Sequence, residues 1–366
     1  MSLSQPDANH ARMRVVVAMS GGVDSSVAAA LVTERGDEAI GVTLHLAGSD
    51  SRCCSLADAD DARRVAERLG VRFFVANYRE RFRKEVMEAF ADAYLSGRTP
   101  IPCVTCNRSF KFEYLLERAR VFGASRVASG HYARVDRDPR TGLFRLLSAV
   151  DTDKDQSYFL FQLGQEQLDS LDFPLGSLRK SEVRAIARRY GLGTAEKPES
   201  QEICFVPDGN YAEVVEQLRP EAMPGEGEIV DGAGRVLGSH AGIHRFTVGQ
   251  RRGLGVSGAA GPLYVTELDA AQNRVVVGTK AELESTRARV VEVNWVSGRA
   301  PAAGTRARVR VRHRHPGVEA RIEPAGEGEA LIHFDAPVSA VAPGQAAVFY
   351  QGEVVLGGGY LAVSEN

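Results

Sequence analysis

A short glycine- and serine-rich segment, Ser20 to Ser26 (SGGVDSS), follows an apolar run and precedes a helical pattern. Two adjacent glycines let the backbone turn with positive φ, so that its N–H groups can approach an anion. The hydroxyls of Ser25 and Ser26 stand where the helix begins, and a helix N-terminus favours negative charge. The lysine of a Walker A loop is absent, and the spacing is not that of the dinucleotide-binding fingerprint. The segment predicts a phosphate or pyrophosphate site, with a plain strand-to-helix turn as the alternative.

Cysteine residues offer a second kind of chemistry. Cys106 stands between a proline-containing loop and a helix expected to begin at Asn107, where helix N–H groups would stabilise a thiolate and lower its pKa. Cys204 lies where a polar stretch enters a short apolar run, which also fits an inert buried thiol. The pattern therefore predicts a nucleophilic Cys106 and leaves the role of Cys204 open.

A metal site is the competing interpretation of the same cysteines. Cys103 and Cys106 have half of a zinc or iron–sulfur spacing, with Cys53, Cys54 and Cys204 available to complete it. A second C-x-x-C pair is missing, and the adjacent Cys53 and Cys54 do not easily face one tetrahedral ion. Spacing alone leaves a thiol pair, a metal site and cysteines without a special role all open.

Composition limits the class of protein that can carry these groups. The chain has 366 residues, enough for two or three domains, and 44% of them are hydrophobic. The 45 basic and 47 acidic residues give a formal net charge of -2, so any basic surface for nucleic acid must be local. Five cysteines are too few for a disulfide framework, and no segment matches an export signal or a membrane span. These features exclude a disordered or fibrous chain and predict a soluble, cytoplasmic protein with no membrane partner.

The N-terminal half alternates short β-branched runs with amphipathic helical stretches, which is typical of parallel strands covered by helices. The predicted strands are Arg14–Met19, Ala39–Leu46, Val71–Ala76 and Arg126–Ala128. The predicted helices are Val23–Arg35, Asp58–Leu69, Tyr78–Leu95 and Asn107–Phe122. Two prolines predict that the segment TPIPCVTCN, residues 99–107, is a loop. We expect an α/β domain with a doubly wound parallel sheet over residues 1–210.

Beyond residue 210 the chain becomes glycine-rich with short apolar runs, which predicts small β-structure joined by tight turns. Farther on, alternating patterns spaced as in a small β-barrel predict the strands Arg306–Arg314, Glu329–Phe334 and Gln345–Tyr350. We therefore expect a β-rich central domain at 211–283 and a C-terminal β-barrel at 284–366.

A local basic cluster lies in the predicted barrel. Eight arginines and one acid, Glu292, occur between Ser285 and Val318. Because side chains alternate between the faces of a strand, five of these arginines would share one face: Arg306, Arg308, Arg310, Arg312 and Arg314. Five arginines on one face predict a surface that binds RNA phosphates, with a solvated charged strand as the alternative.

Sequence words along most of the chain resemble a known family. The segment SGGVDSS resembles the fingerprint of the ATP pyrophosphatases, which cleave ATP between the α and β phosphates and adenylate a substrate. The chain as a whole resembles the tRNA-specific 2-thiouridylases, which replace the C2 oxygen of the wobble uridine by sulfur. Six words carry this resemblance in the family's order: MSGGVDSSVAA (19–29), GRTPIPCVTCNRSFKF (97–112), ASGHYAR (128–134), DKDQSYFL (153–160), ESQEICFVPDGNY (199–211) and FTVGQRRGLG (246–255).

The resemblance implies an ATP-dependent tRNA sulfurtransferase that uses two cysteines. Cys106 would be the nucleophile, and Cys204 would carry sulfur as a persulfide. ATP would adenylate the C2 oxygen of the uracil, sulfur would then displace AMP, and the two cysteines would end as a disulfide. The implied partners are tRNA and a sulfur-donor protein, a cysteine desulfurase or a sulfur relay carrier. The family commonly has Asp where this chain has Cys103, so the general-base role proposed for that position is in doubt.

The resemblance also assigns binding residues. Those for ATP are Ala18, Met19, Ser20, Gly21, Gly22, Val23, Asp24, Ser25, Leu44 and Gly130. Those for tRNA and its target base are Ile101, Pro102, Cys103, His131, Lys154, Asp155, Gln156, Arg312, His313 and Gln345. Asp24 would hold Mg²⁺ with ATP, because this hard cation takes oxygen ligands. No permanently bound metal or cluster is expected.

Three other functions fit part of the pattern. A synthetase that adenylates a small molecule would need neither the cysteine pair nor the arginine strand. A tRNA-binding protein with a regulatory nucleotide site would not consume ATP. An iron–sulfur-dependent tRNA thiolase would bind its cluster through Cys103, Cys106 and another cysteine.

Overall fold

The structure, a computed structural model, describes residues 12–46, 55–199, 203–206, 209–256 and 261–363. The chain divides into two compact units. The first unit comprises residues 1–83, 103–209 and 353–355, and the second comprises residues 84–102, 210–352 and 356–366. Cys53 and Cys54 lie outside the described residues. Within the described ranges, no helix combines the length and apolar character needed to cross a membrane.

A parallel sheet forms the centre of the first unit. Numbered along the chain, the strands of this unit are β1 (Arg14–Ala18), β2 (Glu38–His45), β3 (Arg72–Asn77), β4 (Arg126–Ser129), β5 (Ala133–Arg137), β6 (Phe144–Ser148) and β7 (Leu171–Asp172). Five of them lie side by side in the order β3-β2-β1-β4-β7, and every neighbouring pair is parallel. The predicted parallel sheet and its four predicted strands are confirmed. The remaining two strands, β5 and β6, form an antiparallel hairpin, and β6 also pairs with Val354 and Val355.

Three helices pack on one face of this sheet. They are Val23–Glu34, Leu56–Leu69 and Lys180–Arg189. Val15 and Val17 of β1 are fully buried in one apolar cluster with residues of these helices, such as Val27 and Val183. The second of these helices begins at a capping box, in which Ser55 and Asp58 satisfy each other's backbone N–H groups, and ends at Gly70 with φ 68°. Local sequence signals therefore fix where this helix starts and stops.

The other helical segments include two with a π-helical part. They are Arg79–Phe82, Arg83–Glu88 (π-helical), Ala89–Leu95, Pro102–Thr105, Cys106–Tyr114 (π-helical), Leu115–Val121 and Gln165–Ser170, with a 3-10 turn at Ser157–Phe159. The predicted helix 78–95 is thus confirmed as one helical run with a π-helical centre. The prediction of a loop up to Cys106 is wrong, because the helical chain already begins at Pro102. Proline is tolerated in the first turn of a helix, where its missing N–H is not needed.

The earlier start of the helix places Cys106 differently from the prediction. Cys106 lies four residues inside the helical run rather than immediately before it. The backbone N–H groups at the helix start therefore do not explain a lowered thiol pKa at this position.

The second unit is rich in β-structure. Its helical segments include Tyr211–Leu218 and the 3-10 turn Pro220–Ala222. Four strands, β8 (Gly227–Asp231), β9 (Val236–His240), β10 (Tyr264–Asp269) and β11 (Arg274–Gly278), form a small sheet in the order β10-β11-β8-β9. Ile229, Phe246, Val265 and Val275 belong to its buried core. The predicted small β-structure in this region is confirmed.

Six further strands close into a barrel. They are β12 (Glu284–Trp295), β13 (Thr305–Arg310), β14 (Val318–Pro324), β15 (Ala330–Ser339), β16 (Ala346–Gln351) and β17 (Val354–Leu361). They follow the order β12-β15-β14-β13-β16-β17, and β17 pairs with β12 to complete the circle. Val309, Ile322, Ile332 and Phe349 are buried inside. The predicted C-terminal β-barrel is confirmed.

The predicted strand of five arginines is wrong in its length. β13 ends at Arg310, and residues 311–314 form a bend and turn, so Arg312 and Arg314 are not on the strand. On the strand itself, Arg306 pairs with Asp335, while Arg308 and Arg310 lie over the ring of Tyr350. Alternation alone could not show where pairing with β14 and β16 stops. The basic character of this region is therefore divided between a short strand and the turn that follows it.

Candidate functional site

A cavity of about 320 Å³ lies at the carboxyl ends of β1, β2 and β4 in the first unit. Ligands of open α/β sheets bind at this edge. Of the ten residues predicted to bind ATP, nine line the cavity: Ala18, Met19, Ser20, Gly22, Val23, Asp24, Ser25, Leu44 and Gly130. Gly21 is not among the lining residues. The predicted nucleotide residues are thus brought together around one space.

The loop between β1 and its helix is held by its own serines. The backbone N–H of Ser20 donates to Ser25 Oγ at 3.1 Å, and the hydroxyls of Ser25 and Ser26 donate to the carbonyl of Gly22 at 3.1 and 2.8 Å. Gly21 has φ 70°, and a Cβ at this position would lie 2.2 Å from the backbone oxygen of Asp58. Gly21 therefore supports the loop by close packing rather than by facing the cavity.

Gly130 lets a second backbone segment approach this loop. A Cβ at Gly130 would lie 2.7 Å from both the carbonyl carbon of Asp24 and the backbone nitrogen of Ser25. Backbone atoms do not rotate away as a long side chain does. Any larger residue at Gly130 must therefore displace the backbone of Asp24 and Ser25, which line the cavity.

Gly130→Ala should weaken ATP binding by about 10- to 100-fold, because an error of about 1 Å in a binding site has effects of that size. Isothermal titration with Mg-ATP measures this directly. Gly193→Ala is the matched control, since a Cβ there meets nothing within 4 Å. Equal ATP affinity in both variants would contradict a nucleotide site at this cavity.

A row of alternating charges runs along the cavity wall. Lys180 Nζ lies 2.8 Å from Asp24 Oδ1 and 2.7 Å from Glu199 Oε1, and Lys154 Nζ lies 2.7 Å from Glu199 Oε2. The Tyr132 hydroxyl donates to Asp24 Oδ1 at 2.9 Å. Burial alone would raise the pKa of Glu199, but the hydrogen bonds from Lys154 and Lys180 outweigh it and lower that pKa. The cavity thus has both cations for phosphate oxygens and carboxylates that those cations now neutralise.

Lys197 braces the glycine loop from another side. Its Nζ donates to the carbonyl of Gly21 at 3.1 Å, to Asp58 at 2.8 Å and to Asp61 at 2.6 Å. Burial alone would lower the pKa of Lys197, but its hydrogen bonds to the two carboxylates raise it. Lys197 therefore stays charged and ties the loop to the start of helix Leu56–Leu69.

The lining residues that sequence reasoning did not single out include Tyr132, Lys180, Lys197 and Glu199. Lys180, Lys197 and Tyr132 drew no attention because their partners lie far away in the chain, as with Lys180 and Asp24. Glu199 and Tyr132 lie within two of the six sequence motifs that carry the family resemblance. Their position in those motifs could have marked them as candidate site residues. For the two lysines, no signal in the sequence singled them out.

Glu199 stands five residues before Cys204 and is held by two lysines. Glu199→Gln removes the charge that holds this segment at the cavity, so we expect Cys204 to be alkylated severalfold faster by iodoacetamide. Mass spectrometry of the labelled protein measures the rate for each cysteine. Glu196→Gln is the matched control, because its carboxylate is exposed and pairs with Arg188 instead. An unchanged Cys204 rate in Glu199→Gln would contradict this tethering role.

Cys106 is buried and stands next to a polar chain. Oδ1 of its neighbour Asn107 accepts a hydrogen bond from Nε2 of His131 at 3.2 Å, and Nδ1 of His131 lies 2.8 Å from the Ser129 hydroxyl. Burial, with a smaller contribution from nearby Lys111, lowers the pKa of His131 well below its usual value. His131 is therefore neutral at physiological pH and is suited to orient Asn107 rather than to pair with a phosphate.

The three described cysteines, Cys103, Cys106 and Cys204, are not in disulfides. Among the described residues, no group of three or more histidine, cysteine or acidic side chains is arranged to hold a metal ion. The half-spacing of Cys103 and Cys106 is therefore not completed by another described residue. Asp24, which was predicted to hold Mg²⁺ with ATP, lines the cavity, as do the carboxylate residues Asp58 and Glu199.

The predicted RNA residues of the first unit do not all have the same surroundings. His131, Lys154 and Gln156 line the cavity. Asp155 is buried and accepts hydrogen bonds from the backbone N–H groups of Ala149 and Ser157, both at 3.1 Å. The turn that carries Lys154 and Gln156 is thus fixed by Asp155, which is suited to support its neighbours.

Predicted RNA residues of the second unit lie on three segments: Ile101 with Pro102, Arg312 with His313, and Gln345. Gln345 Nε2 donates to the carbonyls of Thr99 and Pro100, at 3.1 and 3.4 Å, and thereby holds the chain just before Ile101 and Pro102. Arg312 is exposed and donates to the carbonyl of Ser339 at 3.2 Å, while its neighbour His313 is half-buried. Gln345 therefore has a structural contact beside the RNA contact predicted for it.

Family comparisons cover nearly the whole chain. Residues 13–208 match the tRNA methyl transferase HUP domain, residues 213–279 the tRNA methyl transferase PRC-barrel domain, and residues 285–361 the aminomethyltransferase beta-barrel domain. These three stretches correspond to the parallel-sheet region, the small sheet and the barrel described above.

Full-length relatives share about half of their residues with the chain. A protein of Rhodospirillum rubrum is 52% identical over 366 residues, which are 96% of this chain and 96% of that protein. A protein of Acidobacterium capsulatum is 49% identical, over 95% of this chain and 98% of that protein. Both are named tRNA-specific 2-thiouridylase MnmA. A remote likeness, with 17% identity and a TM-score of 0.36, links 57% of this chain to 68% of the solved U34-tRNA thiolase NcsA from Methanococcus maripaludis.

Proposed function

Because the chain belongs to the family of tRNA-specific 2-thiouridylases, and is thus a tRNA sulfurtransferase, we propose that it adenylates the wobble uridine of tRNA and transfers persulfide sulfur to it. The substrates are ATP and tRNA, and the product carries 2-thiouridine. Cys106 is the nucleophile and Cys204 the sulfur carrier. The residues proposed to contact ATP, the target base and the tRNA are those named from the sequence.

One observation supports this proposal most. Five of the six sequence words supply residues to the 320 Å³ cavity: Ser20, Lys111, Gly130, Lys154 and Glu199 represent one word each. These words lie far apart in the chain, yet they meet at the sheet edge where nucleotides bind in this kind of fold. The glycine loop, the motif that contains Cys106 and the motif that contains Cys204 thus each contribute residues to one cavity, although neither cysteine is itself among the lining residues.

Adenylation turns a poor leaving group into a good one. The C2 oxygen of the uracil attacks the α phosphorus of ATP, the bond to the β-phosphate oxygen breaks, and pyrophosphate leaves. The proton on N3 is lost to solvent, so the ring stays neutral. Lys180 and Lys154 neutralise the phosphate oxygens, since both cations line the cavity. Asp24 would hold Mg²⁺, which when bound neutralises further phosphate charge.

Sulfur transfer then uses both cysteines. The terminal sulfur of the Cys204 persulfide adds at C2, and AMP leaves with the former C2 oxygen. The Cys106 thiolate attacks Sγ of Cys204, the sulfur–sulfur bond of the persulfide breaks, and its electron pair stays on the sulfur bound to C2. N3 then regains a proton from solvent, which gives the thiocarbonyl of neutral 2-thiouridine. Alternatively, Cys106 attacks first and the hydrosulfide released adds at C2. Both orders leave a Cys106–Cys204 disulfide, which an external thiol reduces by two electrons.

Two partners complete the proposal. The C2 carbonyl of a stacked anticodon base is inaccessible, so the uridine must be unstacked to reach the cavity, as single-stranded RNA bases are when proteins read them. Sulfur reaches Cys204 from a donor protein, a cysteine desulfurase or a sulfur relay carrier. Neutral His131, which holds Asn107, keeps the segment of Cys106 in place beside the base.

The experiment combines protein, Mg-ATP, unmodified tRNA and a persulfide source, followed by digestion of the RNA and mass spectrometry. We expect 2-thiouridine that depends on ATP, with one AMP formed for each sulfur transferred. AMP formation without thiouridine would favour the small-molecule synthetase.

A further inference from the structure

The sixth sequence word, Phe246–Gly255, does not reach the cavity of the first unit. It forms a wall of a larger cavity of about 890 Å³ within the second unit, to which Thr247, Val248, Gly249, Gln250 and Arg252 contribute. Arg312 and Gln345 also line this cavity. Pockets that bind small ligands commonly have volumes of about 300–1,000 Å³. The function proposed above gives this word no role.

Hydrogen bonds and close packing fix the conformation of the segment Phe246–Gly255. Gly249 N–H donates to the carbonyl of Val265 at 2.8 Å, and Val265 N–H donates back to Gln250 at 2.9 Å. The Gln250 side chain accepts from Thr247 N–H at 3.1 Å and donates to the carbonyl of Arg252 at 2.9 Å. Gly249 has φ 91°, and a Cβ there would lie 2.7 Å from Cβ of Ala340. The cavity is thus built before any ligand arrives.

The charged side chains that line this cavity are basic. Among the described residues, its lining includes Arg245, Arg252, Lys280 and Arg312 and no acidic side chain. Arg245 pairs with Glu216, whereas in the described parts of the chain Arg252, Lys280 and Arg312 have no carboxylate within ion-pair distance. Of these three exposed cations, Arg312 donates to the carbonyl of Ser339, but none of the three is neutralised by a described carboxylate, so each can attract an anion. The lining therefore suits an anionic ligand.

The rest of the lining suits a ligand with a flat or apolar part. Val248, Leu283, Val311 and Ala342 supply apolar surface, and Gln250 and Gln345 supply polar groups. No cysteine and no residue of the Ser20–Ser26 loop lines the cavity. The lining thus offers binding groups without the nucleophile or the nucleotide loop. A nucleotide within an RNA chain combines phosphates, a polar sugar and a flat base in this way.

We propose that this cavity binds an unstacked nucleotide of the tRNA other than the reacting uridine. Arg252, Lys280 and Arg312 contact its flanking phosphates, and the apolar wall receives the base. This inference rests on the proposed function for the identity of the RNA. The cavity is a second anchoring site for the tRNA, separate from the site of chemistry.

The test measures affinity for labelled unmodified tRNA by fluorescence anisotropy at several salt concentrations. Arg252→Gln with Lys280→Gln should raise Kd about 10-fold at moderate salt and lower the salt-dependence slope by about 1–2, since each lost phosphate contact removes roughly 0.7–0.9. The control is Arg120→Gln with Arg140→Gln, two exposed arginines of the first unit that do not line the cavity. An equal loss of affinity in the control would overturn the proposal.

A second variant tests whether the tRNA enters the cavity or is only attracted to a basic surface. Ser339→Trp fills the space without changing charge, because Ser339 is half-buried and lines it. A similar rise in Kd supports the cavity, whereas an unchanged Kd together with an effect of the charge variants overturns it in favour of general surface attraction. Thermal unfolding and Mg-ATP binding confirm that each variant is folded. If the wild-type protein makes no thiouridine but these variants still lose tRNA affinity, the proposed chemistry fails and the binding site stands.

Discussion

Cys106→Ser and Cys204→Ser should each lower the rate of ATP-dependent 2-thiouridine formation by roughly 10³-fold or more, the scale of losing an essential nucleophile. Serine neither forms a thiolate near neutral pH nor carries a persulfide. Mass spectrometry of nucleosides from the treated tRNA gives the rate for each variant. The proposed scheme requires both cysteines, because in it Cys204 delivers the sulfur and Cys106 releases it.

The control for this prediction is Cys53→Ser with Cys54→Ser, the two cysteines to which no role is assigned. Supplying free sulfide separates the roles of the essential pair. If free sulfide restores 2-thiouridine formation by Cys204→Ser but not by Cys106→Ser, the role of Cys204 is limited to carrying the sulfur. Full activity of either single variant with a persulfide donor would contradict the two-cysteine scheme.

Lys180→Met should lower kcat/KM for ATP on the order of 10²-fold, the effect expected when one preorganised group that stabilises developing charge is lost. The Lys180 side chain is only 12% exposed and bridges Asp24 and Glu199 at the cavity wall. Without it, two carboxylates face the incoming phosphates with less neutralisation. AMP formation at varied ATP, with tRNA saturating, measures the change.

Lys84→Met is the matched control for Lys180→Met, since Lys84 is exposed and does not line the cavity. Lys180→Arg tests whether charge alone suffices, because Arg presents a planar fork instead of a compact ammonium. We expect Lys180→Arg to have a kcat/KM for ATP between those of the wild-type protein and Lys180→Met. An unchanged kcat/KM in Lys180→Met would remove this residue from the nucleotide site and leave its two ion pairs as structural.

Much of the fold could be predicted because it depends on short-range signals. Each strand of the parallel sheet is a short apolar run bounded by turn residues, and Gly70 marks the end of a helix as expected. The start of the helix at Pro102 was missed because proline both ends helices and begins them. The end of β13 at Arg310 was missed because a strand pattern continues in the sequence after its pairing partners have ended.

The candidate site was predictable only where its residues are neighbours in sequence. The Ser20–Ser26 loop could be predicted as a phosphate site from glycine and helix position alone. The partnership of Lys180 with Asp24, which are 156 residues apart, and that of Lys197 with Asp58 arise only when the chain folds. Neither the burial of His131 nor its lowered pKa could be inferred from its place in a glycine turn.

The most direct test of the account is a single-turnover experiment with protein whose Cys204 carries a labelled persulfide sulfur. Mg-ATP and unmodified tRNA are added without any other sulfur source, and label is counted in protein and in RNA. We predict that one labelled sulfur appears in 2-thiouridine for each AMP formed, while Cys106 and Cys204 become a disulfide. Label that stays on the protein while AMP accumulates would contradict sulfur transfer from Cys204 to an adenylated uridine.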